Sequence, residues 1–229
     1  MCGRFSQYRP PWEYLQPIGL HVPLVGGTDP ESVGRFNVAP RSKVRILHLE
    51  PDGLRWNFVP WGWAPFWAKG TRPPAINARS ETAATGKFFK QIWETGRCVI
   101  PADGWYEWVK NPDDPKQKQP YYIHRKDGEP MYFAGIGQFR RDGSGPREGD
   151  GFVIITTDSD QGMVDIHDRR PVVFAPDTAG NWLDPDLAAD EAAVLMAQHR
   201  ESVEAFDWYP VGREVGNVRN EGATLIQPQ

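Results

Sequence analysis

Cysteine is nearly absent from this sequence: of 229 residues, only Cys2 and Cys98 carry a thiol. Two thiols this far apart cannot form the disulfide framework of a small secreted domain, and neither lies in a zinc-ligand spacing. No P-loop and no Gly-x-Gly-x-x-Gly fingerprint is present, so neither a metal nor a nucleotide cofactor is expected. No apolar run approaches the ~20 residues of a membrane span, and the start carries no apolar signal segment. These absences lead to the expectation of a soluble, intracellular, disulfide-free protein with no membrane partner. Positive charge is also short, with a formal net charge of −4, which taken alone argues against a nucleic-acid partner.

What is present qualifies that last exclusion. Residues 177–207 hold eight acidic residues and one basic one, a local −7, which leaves 25 basic against 22 acidic residues and +3 on the remainder. Arginines fall close to the distinctive motifs (Arg4, Arg35, Arg41, Arg72, Arg79, Arg169 and Arg170). Either a basic groove or an evenly solvated surface fits this distribution. Ten tryptophans together with 22 prolines and 23 glycines suit a β-rich fold cut into short segments. The length fits one domain over residues 1–229.

Periodicity gives the elements. Trp12–Leu15 reads as a short helix and 17–34 as loop. Val44–Leu49 and Leu54–Val59 alternate around Pro51-Asp52-Gly53, the signature of a hairpin. Residues 60–74 are too punctuated for regular structure. Ser80 opens a helix expected to run through Phe88, Phe89 and Trp93 and to stop at Gly96. Arg97–Ile100 and Trp105–Val109 read as strands around Pro101-Ala102-Asp103-Gly104, with a polar loop over 111–120. Tyr121–His124 and Met131–Gly135 read as a second hairpin. After a loop over 140–151, Phe152–Thr156 reads as a buried central strand and Pro171–Phe174 as another. Asp186–His199 is the clearest amphipathic helix, with Leu187, Leu195 and Met196 inward. The class is α+β: a single domain with an antiparallel, barrel-like β core and peripheral helices.

Four local features can carry chemistry: Met1-Cys2-Gly3-Arg4-Phe5, Ile76-Asn77-Ala78-Arg79, Trp105-Tyr106-Glu107-Trp108 and Asp165-Ile166-His167-Asp168-Arg169-Arg170. Trimming of Met1 would leave Cys2 with a free α-amine beside its thiol, an N-terminal nucleophile. The alternative is an incidental cysteine at a frayed end. Glu107, in an aromatic setting, is suited to a raised pKa and proton transfer, unless it faces solvent; on a strand it shares a side with Trp105 and opposes Tyr106 and Trp108. His167 is either a placed acid–base or a structural histidine. Asn77 and Arg79, two apart, point the same way on an extended segment and suit an aldehyde or sugar oxygen and a phosphate, although a turn-capping role for Asn77 fits equally well. Cys98 reads as a small hydrophobe in a strand.

Together the motifs MCGRF at 1, RFNVAP at 35, WGWAP at 61, INARSET at 76, ADGWYEW at 102, DQGMVDIHDRRPVV at 160 and VGNVRN at 215 resemble the SRAP (SOS-response-associated peptidase) family of abasic-site processing proteins, over nearly the whole chain. The resemblance implies a DNA-repair protein of the bacterial cytoplasm, found with the nucleoid at damaged DNA. It implies a monomer whose partner is single-stranded DNA containing abasic sites, which Cys2 captures in a covalent thiazolidine crosslink that shields the site from strand cleavage. It assigns Asn77 to the sugar oxygen or the amine, Glu107 to proton movement and His167 to the sugar hydroxyl, and it matches Arg4, Trp67, Arg79, Trp108 and Thr156 to phosphate contact or base stacking. The family often has a second tryptophan after the one at Trp67, where this chain has Ala68. Self-removal of Met1 fits the family name. The rival readings are a cysteine peptidase built on Cys2, His167 and Glu107, and a non-covalent single-strand-binding module.

Overall fold

The computed structural model describes all residues except 1, 20–21, 26–32, 112–113, 115–116 and 140–146. Met1, and with it the expected trimming, therefore lies outside the described residues, as do parts of the loops expected over 17–34, 111–120 and 140–151. In chain order the elements are β1 (Phe5–Gln7), α1 (Pro11–Leu15), β2 (Leu24–Val25), β3 (Arg35–Val38), β4 (Lys43–Glu50), β5 (Gly53–Pro60), β6 (Asn77–Arg79), α2 (Ser80–Ala83), α3 (Lys90–Thr95), β7 (Arg97–Ala102), β8 (Gly104–Lys110), β9 (Lys118–Arg125), β10 (Met131–Gln138), β11 (Gly151–Asp158), β12 (Arg169–Pro171), β13 (Val173–Phe174), α4 (Pro176–Leu183), α5 (Ala189–Gln198) and β14 (Phe206–Pro210). Short 3-10 turns intervene, among them Phe66–Ala68 and Gln161–Asp165.

One sheet runs β14-β9-β8-β1-β3 and the other β12-β11-β10-β7-β4-β5-β2, with β13 on β10 and β6 added parallel to β11. The α+β class is as expected; both sheets are open, so barrel-like describes them only loosely. Side-chain alternation sorts each strand between two cores. Ile46 and Ile100 join Phe5, Trp105 and Ile123 in a cluster drawn from both sheets, whereas Leu47 and Val99 join Trp93, Trp182 and Met196 beneath the helices. A third cluster, with Tyr106, Tyr122, Val215 and Leu225, sits on the other face of the first sheet under the C-terminal segment. Among the described residues, no helix is long and apolar enough to cross a membrane.

The β4–β5 hairpin forms as predicted, with Leu49 opposite Leu54. Gly53 at its turn has φ +142°, and a Cβ there would meet the Pro23 carbonyl oxygen at 2.1 Å. Two expectations fail. The second hairpin does not form: β9 pairs with β8 and β14, while β10 pairs with β7, β11 and β13. The Asp127-Gly128 turn instead hands the chain from one sheet to the other, because Met131–Gly137 is buried on both faces and belongs mid-sheet. The single helix expected from Ser80 to Trp93 is two, α2 and α3, parted near Gly86, where Phe88 and Phe89 turn in against Trp63. The helix expected over Asp186–His199 forms as α5, entered at Ala189; Met196 faces inward, and Leu195 and, just ahead of the helix, Leu187 pack against the core as expected.

The chain also changes sheets between β7 and β8, with only Asp103 between them. The buried Asp103 carboxylate accepts from the Tyr8 N–H (2.7 Å), the Tyr14 hydroxyl (2.6 Å) and Arg9 Nε (2.7 Å). This corner clamps β1 to α1. Next to it, a side chain at Gly104 would collide with the Tyr122 ring at 2.2 Å, and the Tyr122 hydroxyl is 2.8 Å from Ser6 Oγ. The N-terminal strand is therefore held at its middle and just past its C-terminal end.

Candidate active site

The register of β1 on β8 explains how the N-terminus meets Glu107. Phe5 lies opposite Trp105 in antiparallel pairing, so residues before Phe5 run alongside those after Trp105. Cys2 is thereby buried in the same cluster as Trp105. The alternation expected of β8 holds: Trp105 faces the inter-sheet core, while Tyr106 and Trp108 face the third cluster. Glu107 points to the Cys2 side and is 4% exposed.

Asn77 arrives from the third direction. Trp61 Nε1 donates to the Ile76 carbonyl (2.9 Å), Trp63 and Ala75 exchange backbone hydrogen bonds, and β6 pairs in parallel with β11. Asn77 Nδ2 donates to the Cys2 carbonyl at 2.9 Å, and its Oδ1 is buried without a partner among the described residues. The amide therefore grips the backbone of residue 2 and keeps an acceptor open. Arg79, two residues on, is exposed at the rim.

His167 follows the 3-10 turn Gln161–Asp165 and places Nε2 3.9 Å from Glu107 Oε2. Its Nδ1 accepts the Arg169 N–H at 2.9 Å and lies 2.7 Å from the exposed Asp168 carboxylate. A backbone N–H only donates and a carboxylate only accepts, so the two partners suit different protonation states. With Arg169 as partner the ring is neutral and carries its proton on Nε2, toward Glu107. Burial lowers the His167 pKa and favours this state.

Burial also raises the Glu107 pKa to about 7, the value a proton carrier needs near neutral pH. Burial first, and the Glu107 carboxylate second, hold the Cys2 thiol protonated far above its usual range. Cys98 is buried in the same core and its thiol is likewise raised by burial, in keeping with a packing role.

The remaining predicted residues spread outward. The Arg4 guanidinium lies 5.6 Å from the Trp108 ring centroid, and Nη1 donates to Asn37 Oδ1 and the Val215 carbonyl (both 2.7 Å). Thr156 is buried; its carbonyl accepts from Arg169 Nη2 at 2.6 Å, and Arg169 also forms a two-pronged pair with Glu81. Trp67 lies on the Phe66–Ala68 turn, edge-on to Phe88 at 5.8 Å and 59% exposed, beside Phe66 at 87%. Ala68 is buried, so the exposed aromatic pair is Phe66–Trp67. Among the described residues, no group of three or more His, Cys, Asp or Glu side chains could hold a metal.

A family model for SOS response associated peptidase (SRAP) matches residues 1–218. The chain belongs to this family. Its SRAP relatives include abasic site processing protein YedK of Escherichia coli, 45% identical over 230 residues that cover all of both chains. Abasic site processing protein HMCES of Rattus norvegicus is 29% identical, over all of this chain and 76% of its own. The crystal structure of a phage-related protein of Bordetella bronchiseptica shares the fold with a TM-score of 0.77 at 37% identity, over 93% of this chain and 95% of that one.

Two supports of this SRAP site escaped the sequence reading. Asn37 shares its Nδ2 hydrogens among the carbonyls of Val215 (3.3 Å), Asn217 (3.0 Å) and Asn220 (2.9 Å), and through Oδ1 it holds Arg4. It thus latches the C-terminal segment to the N-terminal residues that lead from Cys2 into β1. Arg169 similarly ties β12 to β11 and to α2, behind Asn77 and His167. For Asn37 the signal was its place inside RFNVAP; Arg169 was legible as an arginine beside the His167 motif, but not as the residue that ties β12 to β11 and α2. Asn37→Ala orphans several buried groups at once, and about 1–3 kcal/mol of stability should be lost. Urea unfolding measures this; a loss below roughly 0.5 kcal/mol would leave the latch with no stabilising role.

Proposed function

We propose that this protein, acting as a monomer, captures abasic sites in single-stranded DNA as a thiazolidine formed on Cys2 after Met1 is removed. The observation that supports it is the convergence of Asn77, Glu107 and His167 on residue 2. An α-amine has a pKa of ~7.7–8.0, so a useful fraction is neutral and nucleophilic near pH 7.5. The deoxyribose first opens to its aldehyde, with His167 Nε2–H donating toward the sugar hydroxyl. The Cys2 amine attacks the aldehyde carbon, Glu107 delivers the proton with which water leaves, and an imine remains. The thiol sulfur then adds to the imine carbon and its proton passes to nitrogen. One C–N and one C–S bond form, and one water is released.

The protonated Cys2 thiol fits this order of events. A hydrolytic cysteine needs a thiolate, stabilised by a neighbouring cation; here burial and the Glu107 carboxylate, which both oppose ionisation, outweigh the N-terminal ammonium that favours it. Asn77 orients the amine through its hold on the Cys2 carbonyl and offers Oδ1 to the sugar. The exposed Trp67 and Arg79, with Trp108, serve the strand on either side through phosphate contact and stacking, while Arg4, over the Trp108 ring, and the buried Thr156 back that surface. Autocatalytic loss of Met1 uses the same groups and is compatible with the scheme.

The test is a boiled denaturing gel of the trimmed protein with an abasic oligonucleotide, single-stranded or fully paired. An adduct should survive boiling, form faster on the single strand, and form more slowly as salt rises. Equal rates on paired DNA contradict the strand preference. A complex seen only on native gels supports the non-covalent binding module instead.

A further inference from the structure

We propose that the cleft lined by Arg72, Pro74, Ile76, Asn77, Phe88 and Phe89 receives the nucleobase that flanks the abasic site. This rests on the reading of the Cys2 site above and adds to it a subsite and a sequence preference. The cleft has a volume of about 500 Å³, within the range of small-molecule sites and ample for a purine.

Its position comes first. Asn77 both lines the cleft and holds the Cys2 carbonyl. A strand whose baseless sugar reaches Cys2 therefore has its next nucleotide at the cleft mouth. An abasic nucleotide has no base of its own to bind, so affinity must come from its neighbours.

The chemistry of the walls fits a flat heterocycle joined to an anion. Prolines, Ile76 and two phenylalanines provide apolar surface. The Arg72 guanidinium lies over the Phe88 ring, 3.7 Å from its centroid. Arg72 is exposed and has no carboxylate partner among the described residues, so its plane offers a stacking surface while its charge meets a phosphodiester. Phe88 is itself fixed edge-on by Trp63, Trp67 and Phe89, which makes the platform rigid. Stacking of this kind tolerates every base but grows with ring area, so adenine is favoured over thymine.

The experiment measures single-turnover adduct formation at subsaturating protein with single-stranded oligonucleotides. Each carries one abasic site flanked, on the 5′ or the 3′ side, by adenine, thymine or a baseless tetrahydrofuran spacer. For one side only, the spacer should slow wild-type reaction about tenfold relative to adenine, with thymine between. Arg72→Gln and Phe88→Leu should each lose most of that advantage with adenine and nothing further with the spacer. 2-Aminopurine placed at the same flank should change fluorescence on binding, less so in both variants. The proposal is overturned if spacers on both sides react like adenine, or if the variants slow adenine and spacer substrates equally, the mark of a merely structural role. If wild type forms no adduct with any oligonucleotide, the covalent reading fails instead; the 2-aminopurine signal then still decides the cleft. Arg72 is on the surface, so its substitution keeps the test valid should Phe88→Leu fold poorly.

Discussion

Adding residues in front of Cys2 should abolish the heat-stable adduct with abasic DNA, a loss of at least a thousandfold in rate. The ring proposed here needs an amine and a thiol on one residue, and an extension converts the amine to an amide that cannot form an imine. The thiol remains, but burial and Glu107 keep it protonated, so it cannot substitute. Cys2→Ala, still trimmed at Met1, makes the complementary lesion: its amine forms an imine and stops there. That imine should hydrolyse on boiling unless borohydride has reduced it. An unreduced, heat-stable adduct from either variant would contradict the assignment, because a lone thiol or a lone amine would then suffice.

Glu107→Gln should slow adduct formation by about 10²–10⁴-fold while leaving binding to intact single-stranded DNA nearly unchanged. The pH profile gives the sign. The Cys2 amine must lose its proton, so the rate climbs toward its pKa of ~8. Glu107 must hold a proton, and with its pKa raised to about 7 the rate falls above that. Wild type should therefore show a bell with its maximum between about pH 7 and 8, and Glu107→Gln should lose the descending limb. The same shift predicts a stability change of opposite benefit. A carboxyl whose folded pKa lies above its unfolded value of about 4.5 binds more protons when folded, so its contribution falls as pH rises from there to about 7. Glu107→Gln escapes that cost and should gain roughly 2–4 kcal/mol on wild type between pH 4.5 and 8. Thermal melts at both ends of the range measure it. A flat difference would show that Glu107 is not held as a poised acid.

The legible parts of this molecule were those set by local pattern. Alternation located β4 and β5, a continuous apolar run located β11, and the two-residue spacing of Asn77 and Arg79 was enough to place them on one face of β6. Alternation also set Glu107 on the side of Trp105. What it could not supply was partnership. Tyr121–His124 and Met131–Gly135 satisfy every local rule for a hairpin, yet each is claimed by other strands, and only the burial of β10 on both faces decides the matter. Asn37 and Asp103 were unreadable for a related reason. Asn37 answers to carbonyls 178 to 183 residues away, and Asp103 sits in a turn-like Asp-Gly pair but is buried to receive three donors. Thr156 and Arg4, matched to DNA contact by family resemblance, are in this structure engaged with Arg169, and with Asn37 and Val215.

The central claim is tested most directly on the crosslinked residue itself. The protein is reacted with an abasic single strand, the DNA is digested with nuclease, and the protein is alkylated with iodoacetamide, treated with an amine-reactive label and cleaved with trypsin. Tandem mass spectrometry should find the peptide Cys2-Gly3-Arg4 carrying the deoxyribose remnant, lighter by one water than the sum of its parts, with neither its sulfur alkylated nor its nitrogen labelled. A remnant on a peptide that still begins with Met1, or on a Cys2 whose thiol or amine accepts its reagent, would contradict the account.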